Sequence, residues 1–94
     1  MATVSSEYDF SVGDVGVSIS ARFSSSLDGL TLQWIFTKPS GDEITKSATI
    51  DEDQAVYTWQ AEDLDEEGEW EGRLYNATTG YTYKNRVSFT VGPA

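Results

Sequence analysis

The sequence predicts an all-β fold, an antiparallel sandwich of about seven short strands, and three observations lead to this prediction. Apolar and polar residues alternate along most of the chain, a period of two that is typical of strands with one buried face. Turn-forming residues such as Gly13-Asp14, Asp28-Gly29 and Pro39-Ser40-Gly41 separate these segments at intervals of about 8–12 residues. No segment shows the 3.6-residue period of an amphipathic helix.

The alternation is longest in the second predicted strand, where five apolar residues share one face. We expect this face to be buried; its residues are Val15, Val17, Ile19, Ala21 and Phe23. The predicted strands are residues 7–12, 15–23, 30–38, 43–50, 55–60, 69–76 and 81–91.

Two of the later segments have features of their own. Lys46 interrupts the apolar row of strand 43–50, and an inward charge of this kind is typical of a strand at the edge of a sheet. Residues 61–68 are acidic and include Leu64, and they offer room for one helical turn before Gly68. We therefore expect an edge strand at 43–50 and an irregular acidic connection at 61–68.

The 94 residues are enough for one domain. We expect a flexible lead at 1–6, the sandwich at 7–91 and a short tail at 92–94. The chain has no cysteine, which excludes a disulfide and a thiolate metal site. The longest apolar run is three residues, 34–36, so the sequence predicts no membrane span.

Composition also restricts the function classes. The chain has neither histidine nor cysteine, which removes the commonest general base and the commonest thiol nucleophile, so we expect no enzymatic activity. A formal net charge of −10 repels nucleic acid and anionic lipid, so we expect neither as a partner. The sequence leaves open whether the domain is a monomer or a homo-oligomer.

Acidic side chains are concentrated between residues 51 and 71, and no Lys or Arg occurs between Lys46 and Arg73. Three interpretations follow: a solvated face, a surface complementary to a basic partner, or a calcium site, since Ca²⁺ takes oxygen ligands from clustered carboxylates. The calcium candidates are Asp51, Asp53, Asp63 and Asp65. No other cofactor is predicted.

Aromatic residues are abundant and allow a second hypothesis, a carbohydrate-binding module for adhesion to a host surface. A sugar platform needs at least two coplanar exposed rings, whereas in a small sandwich most rings are expected in the core. Trp59 is the best candidate for exposure because it lies at a strand end beside the acidic segment.

Two features resemble the immunoglobulin-like family. Trp34 stands in the middle of the third strand, where that family places a core Trp, and Leu64, Gly68 and Trp70 resemble the approach to its strand F. These four are the predicted fold-defining residues. Trp70 takes the place of the corner Tyr. The two cysteines of the family are replaced by Gly72 and by Ala21 or Ile19, which implies that Trp34 packs against small or aliphatic groups.

Three longer stretches resemble the small immunoglobulin-like modules of tailed-phage virions, as in capsid decoration proteins and the N-terminal modules of baseplate upper proteins. Residues 10–17 resemble the opening pattern with Gly-Asp-x-Gly, residues 32–41 resemble a strand and hairpin ending in Lys-Pro-x-Gly, and residues 61–70 resemble an acidic Asp-Leu corner ending in Gly-x-Trp. The resemblance implies a non-catalytic virion protein that docks on a capsid or on a tail or baseplate surface.

Overall fold

The computed structural model describes residues 9–94, apart from the side chain of Asn85, and this part of the chain folds into two β-sheets with no helix. The all-β prediction is confirmed. Eight strands occur in chain order: β1 (Phe10–Ser11), β2 (Ser18–Arg22), β3 (Leu32–Thr37), β4 (Glu43–Ser47), β5 (Thr49–Asp51), β6 (Gln54–Thr58), β7 (Gly68–Asn76) and β8 (Tyr81–Gly92). In residues 9–94 nothing resembles a membrane-spanning helix.

The strands form a five-stranded sheet in the order β1-β8-β7-β3-β4 and a three-stranded sheet in the order β2-β6-β5. These orders resemble those of immunoglobulin-like sandwiches, in which strands B, E and D are neighbours in one sheet, as β2, β6 and β5 are here, and strands G, F and C in the other, as β8, β7 and β3 are. All pairs are antiparallel except β1 with β8, where Phe10 lies beside Val91 in parallel register. The predicted antiparallel arrangement therefore holds for every described pair except this one, where β1 runs in the same direction as β8 before the chain crosses to β2.

The segment predicted as one strand, 43–50, is two strands that belong to different sheets. Ser47 of β4 pairs with Gln33 in the five-stranded sheet, whereas Thr49 of β5 pairs with Val56 in the three-stranded sheet. Only Ala48 separates them. Both β4 and β5 are edge strands, as the charge of Lys46 indicates.

The predicted second strand is shorter than its alternation suggests. Pairing in β2 begins at Ser18, and Val15 and Val17 are 57% and 44% exposed, so their predicted burial is wrong. Residues 61–63 form a turn, in which the Asp63 amide donates to the Gln60 carbonyl, instead of a helical turn.

The ends of the chain bear on the predicted domain limits. The predicted lead at 1–6 and the start of the first predicted strand at 7–8 lie outside the described residues. At the other end Gly92 is buried in β8, and its carbonyl accepts the Val12 amide at 2.9 Å. The sandwich therefore includes residue 92, which was expected in the tail.

The core between the sheets is built from aromatic rings. Trp59 lies within 6.3 Å, centroid to centroid, of five other rings contributed by both sheets, and it has no exposed surface. The rings around it belong to Phe10, Phe36, Tyr57, Trp70 and Phe89. Trp34 stacks on Phe36 at 5.2 Å with an interplanar angle of 8°. Aromatic burial of this kind provides a large hydrophobic stabilisation and directional ring contacts.

Gly72 leaves the space that this packing requires. It pairs with Phe36 across β3 and β7, and a Cβ atom at this position would lie 3.0 Å from Trp34 Cζ3 and 3.1 Å from Phe36 Cε1. Both rings are fully buried and cannot move aside freely. Trp34 thus packs against a residue without a side chain.

We predict that Gly72→Ala lowers the free energy of unfolding by about 1–3 kcal/mol, because the added methyl group overpacks a rigid aromatic contact. Urea denaturation of the variant and the wild type measures the difference. Ser88→Ala, an exposed change in the adjacent strand β8, is the control and should stay within about 0.5 kcal/mol of the wild type. A Gly72→Ala variant as stable as the control would contradict the close packing.

Candidate functional site

The acidic segment 51–71 does not occupy one end of the sandwich. Asp51 and Asp53 flank the turn before β6, whereas Asp63 and Asp65 lie beyond its other end. The five residues of β6 separate the two pairs by roughly 16 Å. The expectation that this segment marks a single end is therefore wrong, because β6 crosses the molecule within it.

Asp63 is a buried carboxylate that joins the two sheets. Its Oδ1 lies 3.0 Å from Lys46 Nζ of β4, and its Oδ2 accepts hydrogen bonds from the Tyr57 hydroxyl of β6 and, at 2.8 Å, from the Gln60 amide. The Asp63 side chain is 6% exposed and that of Lys46 is 34% exposed. The inward charge of Lys46, on the five-stranded sheet, is thus neutralised by a carboxylate that also binds the three-stranded sheet.

These contacts determine the protonation states of Asp63 and Tyr57. Burial acts to raise the pKa of Asp63, but the hydrogen bonds from Tyr57, from the Gln60 amide and from Lys46 outweigh it, and the pKa lies below its usual 3.8. The pKa of Tyr57 is raised, first by burial and then by its bond to the Asp63 carboxylate. The pair is therefore an ionised aspartate and a neutral tyrosine at neutral pH.

Asp65 takes part in a second contact at the same end of the molecule. Both of its oxygens accept from Lys38 Nζ, at 2.9 and 3.0 Å, and the hydrogen bond to Asp65 is the main reason that the pKa of Lys38 is raised. Beside it, Glu66 accepts from the Ser40 amide at 3.2 Å and from the Ser40 hydroxyl at 2.9 Å. The turn between β3 and β4 is thereby tied to the connection between β6 and β7.

The predicted corner residues lie in the same region. The Trp70 indole N–H donates to the Glu66 carbonyl at 3.0 Å, so a backbone bond like that of the family's corner Tyr is made by a Trp. Leu64 is 1% exposed, and its carbonyl accepts the Gly13 amide at 3.0 Å. Gly68 has φ +128°, and a Cβ there would lie 2.8 Å from Pro39 Cγ. This close approach requires glycine.

The four calcium candidates are placed as follows. Asp63 and Asp65 contact different lysines, Asp53 lies 3.7 Å from Arg22 Nε, and Asp51 is exposed at the end of β5. Within residues 9–94 there is no group of three or more acidic side chains arranged to hold a metal ion. An ion at Asp63 would have to displace the Lys46 ammonium and the Tyr57 hydroxyl. Calcium binding stays a prediction.

Exposure of Trp59, the expected site for a sugar ring, is wrong, because Trp59 is the centre of the core. Trp34 and Trp70 are also fully buried. Among residues 9–94 the strongly exposed aromatic residue is Tyr81, at 49%, and its ring and that of Tyr83 meet at an interplanar angle of 85°. These two rings do not form the coplanar platform that carbohydrate stacking requires, and adhesion to a glycan stays a prediction without a described platform.

A β-bulge that the alternating pattern did not predict lies just before β2. The Gly16 amide donates to the Trp59 carbonyl at 2.9 Å, and the Trp59 amide donates to the Val17 carbonyl at 2.8 Å. Two residues thus oppose one, and Gly16 has φ +84°, which is the geometry of a G1 β-bulge. A glycine inside an alternating pattern is a signal for such a bulge, and Gly16 supplies it.

Comparisons of the chain with protein-family models, with curated proteins and with solved structures find no match.

We predict that Asp63→Asn lowers the free energy of unfolding at pH 7 by about 2 kcal/mol, because it leaves the Lys46 ammonium without its buried partner. Asp65→Asn is the matched control, since it also removes a lysine partner but at a carboxylate that is 50% exposed, and it should cost less than about 1 kcal/mol. Urea denaturation of both variants measures the two values. Equal losses would show that burial of Asp63 does not matter.

The lowered pKa of Asp63 predicts a dependence on pH. A carboxyl group whose pKa is lower in the folded state stabilises the protein above its unfolded pKa, here about 3.8, and this contribution is lost as the pH falls through the folded value. The difference in unfolding free energy between wild type and Asp63→Asn should therefore be constant near neutral pH and shrink below about pH 4. Denaturation from pH 7 to pH 2 tests this, and an unchanged difference throughout would contradict it.

Proposed function

We propose that this chain is a non-catalytic immunoglobulin-like module of a tailed-phage virion, which docks on a capsid as a decoration protein or on a tail or baseplate surface. The observation that supports the proposal is the position of the three stretches that resemble such modules. Residues 10–17, 32–41 and 61–70 are far apart in sequence, but all three meet at the end of the sandwich where β1, β3 and β6 finish.

Direct contacts join these stretches. The Gly13 amide binds the Leu64 carbonyl, and Lys38 binds Asp65. Because each of the three stretches reaches this end of the molecule, the resemblance involves segments that contact one another in the folded domain. We name this region the corner end, formed by the connections 12–17, 38–42 and 59–67.

The same contacts support a binding role over a catalytic one. Two carboxylates at this end are engaged in structural pairs: Asp63 binds Lys46 and Tyr57, and Asp65 binds Lys38. A catalytic acid needs a pKa raised towards neutrality, whereas the pKa of Asp63 is lowered. An end that is held together by these structural contacts is suited to docking, and many copies on a symmetric particle would strengthen each weak contact.

The proposal predicts that the purified chain binds particles of the phage whose genome encodes it. Capsids and tails are isolated separately, mixed with fluorescently labelled protein and sedimented, and the bound fraction is measured against protein concentration. Saturable binding to one of the two particle types is expected, and particles of an unrelated phage are the control. Absence of binding to both, together with normal assembly of particles that lack the protein, would overturn the proposal.

A further inference from the structure

Val15 and Val17 form an exposed apolar pair at the corner end. Of the large apolar residues described, three are strongly exposed, and two of them are these valines, at 57% and 44%. The third, Tyr81, lies at the opposite end of the sandwich, where β8 begins. A single exposed apolar side chain is ordinary, but two at one place, each about half exposed, are a candidate contact surface.

The valine pair stands on a rigid base. The bulge at Gly16 joins the backbone of Gly16 and Val17 to Trp59, the most central residue of the core. On the other side, the Gly13 amide is bound to the Leu64 carbonyl, and the Ser11 amide is bound to Asp14 Oδ2 at 2.9 Å. The segment is therefore held on both sides of Val15, and a surface that is already ordered loses little conformational entropy on binding.

The charged residues near the valines indicate which kind of partner surface could bury them. The three connections of the corner end carry one base, Lys38, which is paired with Asp65. Their acids are Asp14, Asp42, Glu62, Asp63, Asp65, Glu66 and Glu67. Asp14 directly precedes Val15, and Glu62 lies between Trp59 and Leu64, whose carbonyls accept the Gly16 and Gly13 amides. In residues 9–94 neither acid makes an ion pair.

This pattern favours a cationic partner over a second copy of the chain. Two copies meeting through the valines would bring the same acids together, in a protein whose net charge is already −10. A partner surface with an apolar centre and a surround of Lys and Arg would bury the valines and pair with Asp14 and Glu62.

We propose that Val15 and Val17, with Asp14 and Glu62 beside them, are the docking surface of this module, and that they bind an apolar depression rimmed by lysine and arginine on a virion protein. This inference rests on the proposed function and specifies the part of the molecule that makes the contact. The valines supply the affinity, and the two acids supply orientation and a dependence on ionic strength.

The test is the particle-binding assay with the double variant Val15→Ser/Val17→Ser. We expect a loss of affinity of about tenfold or more, because two apolar side chains no longer gain burial. Tyr81→Ser removes the third exposed apolar residue at the far end and is the matched control, with affinity expected within about twofold of the wild type.

Glu62→Gln tests the contribution of charge. It should weaken binding by about two- to threefold at low salt and have no effect at about 0.5 M salt.

The outcomes separate this inference from the proposed function. If the wild type binds neither capsids nor tails, the proposed function fails and this inference fails with it. If the wild type binds and the double valine variant binds equally well, or if Tyr81→Ser is equally impaired, the docking surface is wrong while the proposed function stands. A wild-type dimer in sedimentation that the double variant abolishes would show that a second copy, and not a basic partner, covers the valines. Unchanged thermal unfolding of the variants excludes misfolding as the cause of a loss.

Discussion

The burial of Trp59 is the constraint on which the rest of the structure depends. Its ring meets Phe10, Phe36, Tyr57, Trp70 and Phe89, so rings from both sheets are packed around one residue just beyond β6. Its backbone is the partner of the β-bulge, so the same residue that organises the core also holds the exposed valines in place. The indole N–H of Trp59 finds no acceptor among the described residues, at a cost of about 1–3 kcal/mol that ring burial must outweigh.

The core shows how a sandwich without cysteine reaches sufficient packing. Where the immunoglobulin family places a disulfide beside its core Trp, this chain has Gly72, and the space is filled by the stacked rings of Trp34 and Phe36. At the corner, the Trp70 indole makes a backbone hydrogen bond and also packs its ring against Trp59. Larger aromatic side chains thus supply both the buried area and the corner bond.

An ion pair between Lys46 and Asp63 links the two sheets beside the apolar core. The chain passes from β4 to β5 through Ala48 alone, so the edge strands of the two sheets follow one another in the chain. Lys46 of β4 contacts Asp63, which Tyr57 of β6 also binds. A buried charge without a partner would destabilise the fold, so Lys46, Asp63 and Tyr57 act as one structural unit at this edge.

The sequence by itself determined the all-β class, most strand positions and the burial of Trp34, Leu64 and Trp70, because a period of two and Gly- or Pro-containing turns are local properties of the chain. Only the tertiary structure decided the parallel position of β1, the division of 43–50 between two sheets, and the separation of the four candidate aspartates. These depend on which strands become neighbours across the molecule. Val15 and Val17 are exposed because the bulge at Gly16 ends the alternating register of their strand. Trp59 is buried because rings from both sheets surround it, and its position at a strand end does not reveal those contacts.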